Sequence, residues 1–146
     1  MKKLKINHVA VWILVIVHQA IGAGWYSPVA FAGQWTELMG KSMSDFENAG
    51  FTPFIFSIIN AIIMVYSMAW LFKKLNVENF ISGMRYAFVF WLAFLFVELA
   101  TFNSFEMRPF GLTLIDSGKS LVTFMVSGFA LGLWKKYDVI PETNSL

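Results

Sequence analysis

Five polar side chains interrupt long apolar runs: His18, Asn60, Glu98, Asp116 and Lys119. Histidine titrates nearest neutrality and suits a proton relay. A carboxylate and an ammonium can bind a proton, an ion or a small polar solute, or they can pair with each other. An unmatched charge near the middle of a bilayer costs at least ~2.5 kcal/mol, so charges at that depth are expected to find partners. Glu98 and Lys119 are therefore expected to form an ion pair, with Asp116, one helical turn from Lys119, as a second partner. The plainer reading is that the same groups hold helices together, with His18 hydrogen-bonded to a neighbouring helix. A metal centre needs several converging ligands, which His18, Glu98 and Asp116 could in principle supply. Lys119 beside them argues against a bound cation, and no metal or cofactor is expected.

These residues must be positioned by four apolar stretches, 9–26, 53–72, 86–105 and 112–134. A hydrocarbon core about 30 Å thick takes about 20 helical residues to cross, so each stretch can span a membrane. At about 1.5 Å rise per residue, His18 lies roughly 12 Å below the end of its helix. Asn60, Glu98 and Lys119 each lie roughly 10 Å from theirs. One polar residue per helix thus falls at a common level in the outer half of the bilayer. Ser57, Asn60, Met64 and Ser67 recur at helical spacing, as do Asp116, Ser120, Thr123 and Ser127; Glu98 and Thr101 share a side. These narrow polar stripes are expected to face the bundle interior. The small-xxx-small pairs Ala20/Gly24 and Gly128/Gly132 allow close helix approach.

Composition agrees with a lipid-embedded chain. Of 146 residues, 58% are hydrophobic and 14% charged. Soluble domains carry about 25% charged residues. No polar segment is long enough for a second core, so a single domain over 1–146 is expected. Cysteine is absent, which excludes disulfides and thiolate chemistry. The start of the chain has a basic, then apolar, pattern like a signal peptide, but His18, Gln19 and the Trp25-Tyr26 pair favour a retained membrane helix. Eight basic residues flank one side of the spans (Lys2, Lys3, Lys5, Lys73, Lys74, Arg85, Lys135, Lys136), against Lys41 and Arg108 on the other. The positive-inside bias then places both termini in the cytoplasm.

The outer connection 28–52 is expected to be partly helical. Phe31, Trp35, Leu38 and Met39 have helical spacing, Gly40 can end that helix, and Ser44 to Glu47 has capping-box spacing. Thr52 is expected to cap the second span, with Pro53 in its first turn. The short connection 106–111 forces the last two spans into a tight hairpin, with Pro109 and Gly111 in the turn. The tail 138–146 reads as polar and frayed. There is no phosphate loop, zinc-protease motif or nucleophile elbow, and the boundary cations suit lipid headgroups rather than nucleic acid.

The run from Gly22 through Trp25, Tyr26, Ser27 and Pro28 resembles the Gly-x-x-Trp-Tyr-Ser-Pro motif of a family of small four-helix bacterial membrane proteins of unknown function. Glu106, Arg108 and Pro109 resemble that family's Glu-x-Arg-Pro turn, and residues 128–134 resemble its Gly-rich ending. Where the family often carries Asn-x-Gly-Tyr-His, this chain has Asp116-Ser117-Gly118-Lys119-Ser120, which puts charges in place of a neutral polar pair. The resemblance implies a four-helix fold and a bacterial cytoplasmic membrane, and no activity. Physically, Trp25 and Tyr26 are expected to anchor at headgroup level, and Glu106 and Arg108 to close the hairpin, unless Arg108 meets a lipid phosphate instead.

The sequence therefore reads as an all-α integral membrane protein, a four transmembrane helix bundle with both termini cytoplasmic. It is expected to be oligomeric, to partner the lipid bilayer, and to be no enzyme. Transport or permeation of a proton, ion or small polar solute through the polar layer is the leading function. The alternative is a structural or regulatory membrane partner, and a membrane-embedded enzyme comes third.

Overall fold

The computed structural model describes residues 2–48 and 50–139. Helix starts follow local capping. Asn7 Oδ1 accepts the Ala10 N–H at 3.3 Å and opens α1 (His8–Trp25). Two short helices follow, α2 (Ala32–Met39) and α3 (Met43–Glu47). Gly40 ends α2 with φ 64, a left-handed conformation that costs glycine no Cβ clash. The expected capping box moves to Ser42 and Asp45: the Ser42 N–H donates to Asp45 Oδ2 at 2.7 Å. α4 (Thr52–Lys74) carries Pro53 in its first turn, with Phe51 rather than Thr52 at the cap.

The third long helix starts at Phe80, well before the expected residue 86. Gly83 and Arg85 read as connection in the sequence, but Asn79 Oδ1 accepts the Ser82 N–H at 2.8 Å and nucleates the helix earlier. It runs as α5 (Phe80–Phe90), a π turn (Trp91–Phe96) and α6 (Val97–Phe105). The hairpin to α7 (Phe110–Leu133) turns on Met107, φ 55, while Pro109 caps α7 and Gly111 lies inside it. The Arg108 guanidinium pairs with Glu106, as expected for this turn.

Two strands add to the expected all-α architecture. β1 (Lys2–Lys5) pairs antiparallel with β2 (Lys136–Val139), Leu4 opposite Tyr137, and Lys5 meets Asp138 at 2.9 Å. The expected polar tail thus begins as strand, and residues 140–146 lie outside the described residues.

Four helical spans, His8–Trp25, Thr52–Lys74, Phe80–Phe105 and Phe110–Leu133, are long and apolar enough to cross a membrane. α1 packs on α4, α5 packs on α7, and α7 also meets α1 and α4. The apolar core, including Val11, Leu14, Val65, Phe72, Ala87 and Leu131, lies toward the end that bears the strands. There α5 and α7 touch through backbone: a Cβ on Gly128 would fall 2.6 Å from the Gly83 carbonyl oxygen, and one on Gly132 2.7 Å from the Asn79 carbonyl oxygen. The Ala20/Gly24 pair makes no such approach, since nothing lies within 4 Å of a Cβ on Gly24.

Candidate functional site

A cavity of about 90 Å³ opens in the half of the bundle remote from the strands. Its walls come from four elements: His18 and Gln19 of α1; Ser57, Asn60, Ala61 and Met64 of α4; Leu95 of the π turn; and Lys119, Ser120, Thr123 and Phe124 of α7. His18 and Thr123 are buried and Asn60 is exposed, so the cavity deepens from a rim at Asn60 to a floor at His18. Three of the five residues singled out by type therefore meet at one place: His18, Asn60 and Lys119.

Glu98 does not join them. It is exposed, as is Thr101, on a face it shares with Val97 and Phe102. The cause is the π turn. Gly83, Ala87 and Trp91 are buried at regular helical spacing, and an unbroken α-helix would return Glu98 to within about 20° of Trp91. One extra residue taken up by the π turn holds later residues back by about 100°. Asn103 then becomes the buried residue of α6, where its Nδ2 donates to Thr113 Oγ1 at 2.9 Å. The expected Glu98–Lys119 ion pair is absent among the described residues, whose ion pairs are Lys5–Asp138 and Glu106–Arg108.

Asp116 is engaged elsewhere too. Its Oδ1 accepts the Tyr26 hydroxyl at 2.7 Å and the Trp35 indole N–H at 3.0 Å. Beside them the Trp25 indole N–H donates to the Ile115 carbonyl at 3.0 Å, and its ring lies over Gly118, where a Cβ would meet it at 3.1 Å. Trp25 and Tyr26 thus bind α7 rather than pointing outward as anchors. The aromatic connection folds onto the same knot, with Trp35 stacked on Phe46 and Tyr26 tilted against Trp35. This knot closes the bundle end above the cavity.

Lys119 makes no hydrogen bond and no ion pair among the described residues. Its stem passes Gly22, where a Cβ would come within 3.8 Å of Cε. Apart from the exposed Asn60, the other polar cavity groups bond within the bundle. His18 Nε2 and Ser127 Oγ share a hydrogen bond at 2.8 Å, and the Ser57 hydroxyl donates to Gln19 Oε1 at 2.9 Å. The Ser120 hydroxyl donates to the Asp116 carbonyl and the Thr123 hydroxyl to the Ser120 carbonyl. No buried side-chain nitrogen or oxygen among the described residues lacks a partner. Nor do three His, Asp or Glu side chains gather there as a metal-holding group.

Type and spacing alone left several participants unassigned. Gln19 stood out only as a break in an apolar run, and Trp35 only as part of an amphipathic pattern. Asn103 lies on a face that no α-periodic reading reaches, and the Trp91 indole N–H donating to the Ser117 carbonyl at 2.9 Å carries no sequence signal.

Four helices long and apolar enough to cross a membrane, packed around a polar cavity, are the features of a membrane protein. The chain belongs to the family described as protein of unknown function (DUF1761), whose family model matches residues 9–132. No curated protein and no solved structure matches the chain.

Proposed function

We propose that the four long helices cross the bilayer of a bacterial cytoplasmic membrane, with both termini inside, and that the cavity holds or passes a small polar solute. The cavity carries this reading. A bundle held together by packing alone gains nothing from a polar void, because unfilled space in a core costs stability. Here side chains from α1, α4 and α7 meet around about 90 Å³ of space at one level. The orientation rests on the eight basic residues at the strand end. A second copy is the proposed cover for the α6 face, where Glu98 and Thr101 stand among exposed apolar side chains. No covalent chemistry is assigned to the site.

A second reading, a structural or regulatory membrane partner, is favoured by the Asp116 knot. That knot uses Oδ1 of a conspicuous carboxylate to hold the connection to α7.

Cysteine labelling separates the two readings, since the chain has no native cysteine. Single cysteines at positions 60 and 119 are exposed to a membrane-impermeant thiol reagent from either side. Labelling of folded protein supports a hydrated solute site. Absence of labelling at both positions from both sides overturns it and leaves the partner reading.

A further inference from the structure

Lys119 is the one fixed charge lining the cavity among the described residues, and neither nearby carboxylate forms an ion pair with it. Glu98 faces outward beyond the π turn, and Asp116 is held by Tyr26 and Trp35. The other lining side chains are an imidazole, amides, hydroxyls and apolar groups, with no carboxylate among them. From this juxtaposition we infer that the cavity binds one small monovalent anionic group, of the size of formate or chloride, against the Lys119 ammonium. The inference rests on the solute-site reading above and specifies its ligand class.

Charge decides the sign. A cation entering the cavity would meet an ammonium and no carboxylate, in surroundings where charges are poorly screened. A neutral solute would leave the ammonium without a charged group in contact. An anion matches it, and the Asn60 and Gln19 amides flank the same space. Size decides the valence and bulk. The space of about 90 Å³ admits several waters or one small ion, and a single lysine balances one negative charge.

Two sources share this chemistry. A free anion would occupy the cavity alone. The carboxylate head of a fatty acid would place its tail across the rim at Asn60, beside the exposed apolar residues Ile59 and Ile63 of α4.

The test is saturation-transfer NMR on the full chain in nanodiscs of zwitterionic lipid, with formate or decanoate as the probe and chloride as competitor. Wild type is expected to bind, with chloride displacing the probe. Lys119→Met is expected to weaken binding ~10-fold or more, since a charge-assisted contact is lost. Lys119→Arg, which keeps the charge, is expected to restore most of it, which separates loss of charge from loss of fold. Glu98→Gln is expected to bind as wild type. Formate binding identifies a free-ion site, and decanoate binding without formate binding identifies a headgroup site. The inference is overturned if none of the three anions binds folded wild type, or if the folded Met variant binds as tightly as wild type. Should positions 60 and 119 nevertheless label with the thiol reagent, the solute-site reading survives and the ligand is neutral. Should they stay unlabelled, both fall.

Discussion

Along Phe80–Phe105, the half before the π turn and the half after it meet α7 by different means. In α5 the approach is backbone to backbone, through Gly83 against Gly128 and Asn79 against Gly132, with Ala87 alongside. In α6 it runs through side chains, Asn103 donating to Thr113, with α1 and α4 supplying the cavity walls one level below. Glycine contacts leave no room for a side chain and fix the axes of the helices. Hydrogen-bonded polar contacts hold the helices at a distance and leave room between them. Membrane helices have little hydrophobic drive to associate, so close packing of small residues and interhelical hydrogen bonds are the two means available. This chain uses one at each end.

The largest damage is expected at the tight end. Gly128→Leu puts a Cβ 2.7 Å from Ala87 Cβ and 2.6 Å from a carbonyl oxygen, and neither can move without shifting a helix. A loss of more than ~3 kcal/mol is expected, read as failure to elute as folded, monodisperse protein. Gly24→Leu, with nothing within 4 Å, is the control and is expected to elute normally.

At the open end the knot comes next. Asp116→Ala strands the Tyr26 hydroxyl and the Trp35 indole N–H together. A cost of about 3 kcal/mol is expected in thermal unfolding, with Tyr26→Phe costing less because it removes donor and bond at once. An Asp116→Ala protein as stable as wild type would mean that the aromatic connection is not held by that carboxylate.

Ser127→Ala removes the hydroxyl bonded to His18, and a smaller loss of about 1 kcal/mol is expected, in line with hydrogen bonds between membrane helices. The smallest effect lies outside both regions. The Ser42 backbone N–H, followed by its hydroxyl, holds the exposed Asp45 carboxylate below its ordinary range. A carboxylate depressed in the folded state stabilises above its unfolded pKa of about 3.9 and loses that contribution as the pH falls through the lower folded value. α3 is therefore expected to fray only under strongly acid conditions, as local amide exchange at Ser42 would report, while the long helices stay intact.

The long helices were legible in the sequence because apolar length is a coarse signal that survives errors of several residues. The cap at Asn79 was missed because a glycine and a charge soon after it resemble a turn. The strands carry little signal because four residues, Lys2–Lys5 or Lys136–Val139, are too few for alternation to stand out beside the charged helix ends. Of the site, His18, Asn60 and Lys119 were legible because polar groups in apolar helices have few places to go. Steps of 3.6 residues misplace Glu98 because Trp91–Phe96 does not keep that period. Asp116 was correctly placed near Lys119 on the same helix, but its partners lie far away in sequence, at Tyr26 and Trp35.

The π turn makes residue number, rather than residue identity, the determinant of which side chains of α6 look inward. Adding a single codon within 91–96, with the turn still absorbing one residue, would carry Glu98 round by about 100° toward α7 and turn Asn103 away. Such an insertion would exchange a cavity whose ammonium has no direct partner for one closed by an ion pair, a change that substitution of Glu98 itself cannot make. Insertions and deletions, elsewhere confined to loops, would here act inside a helix as a selector between two electrostatic designs.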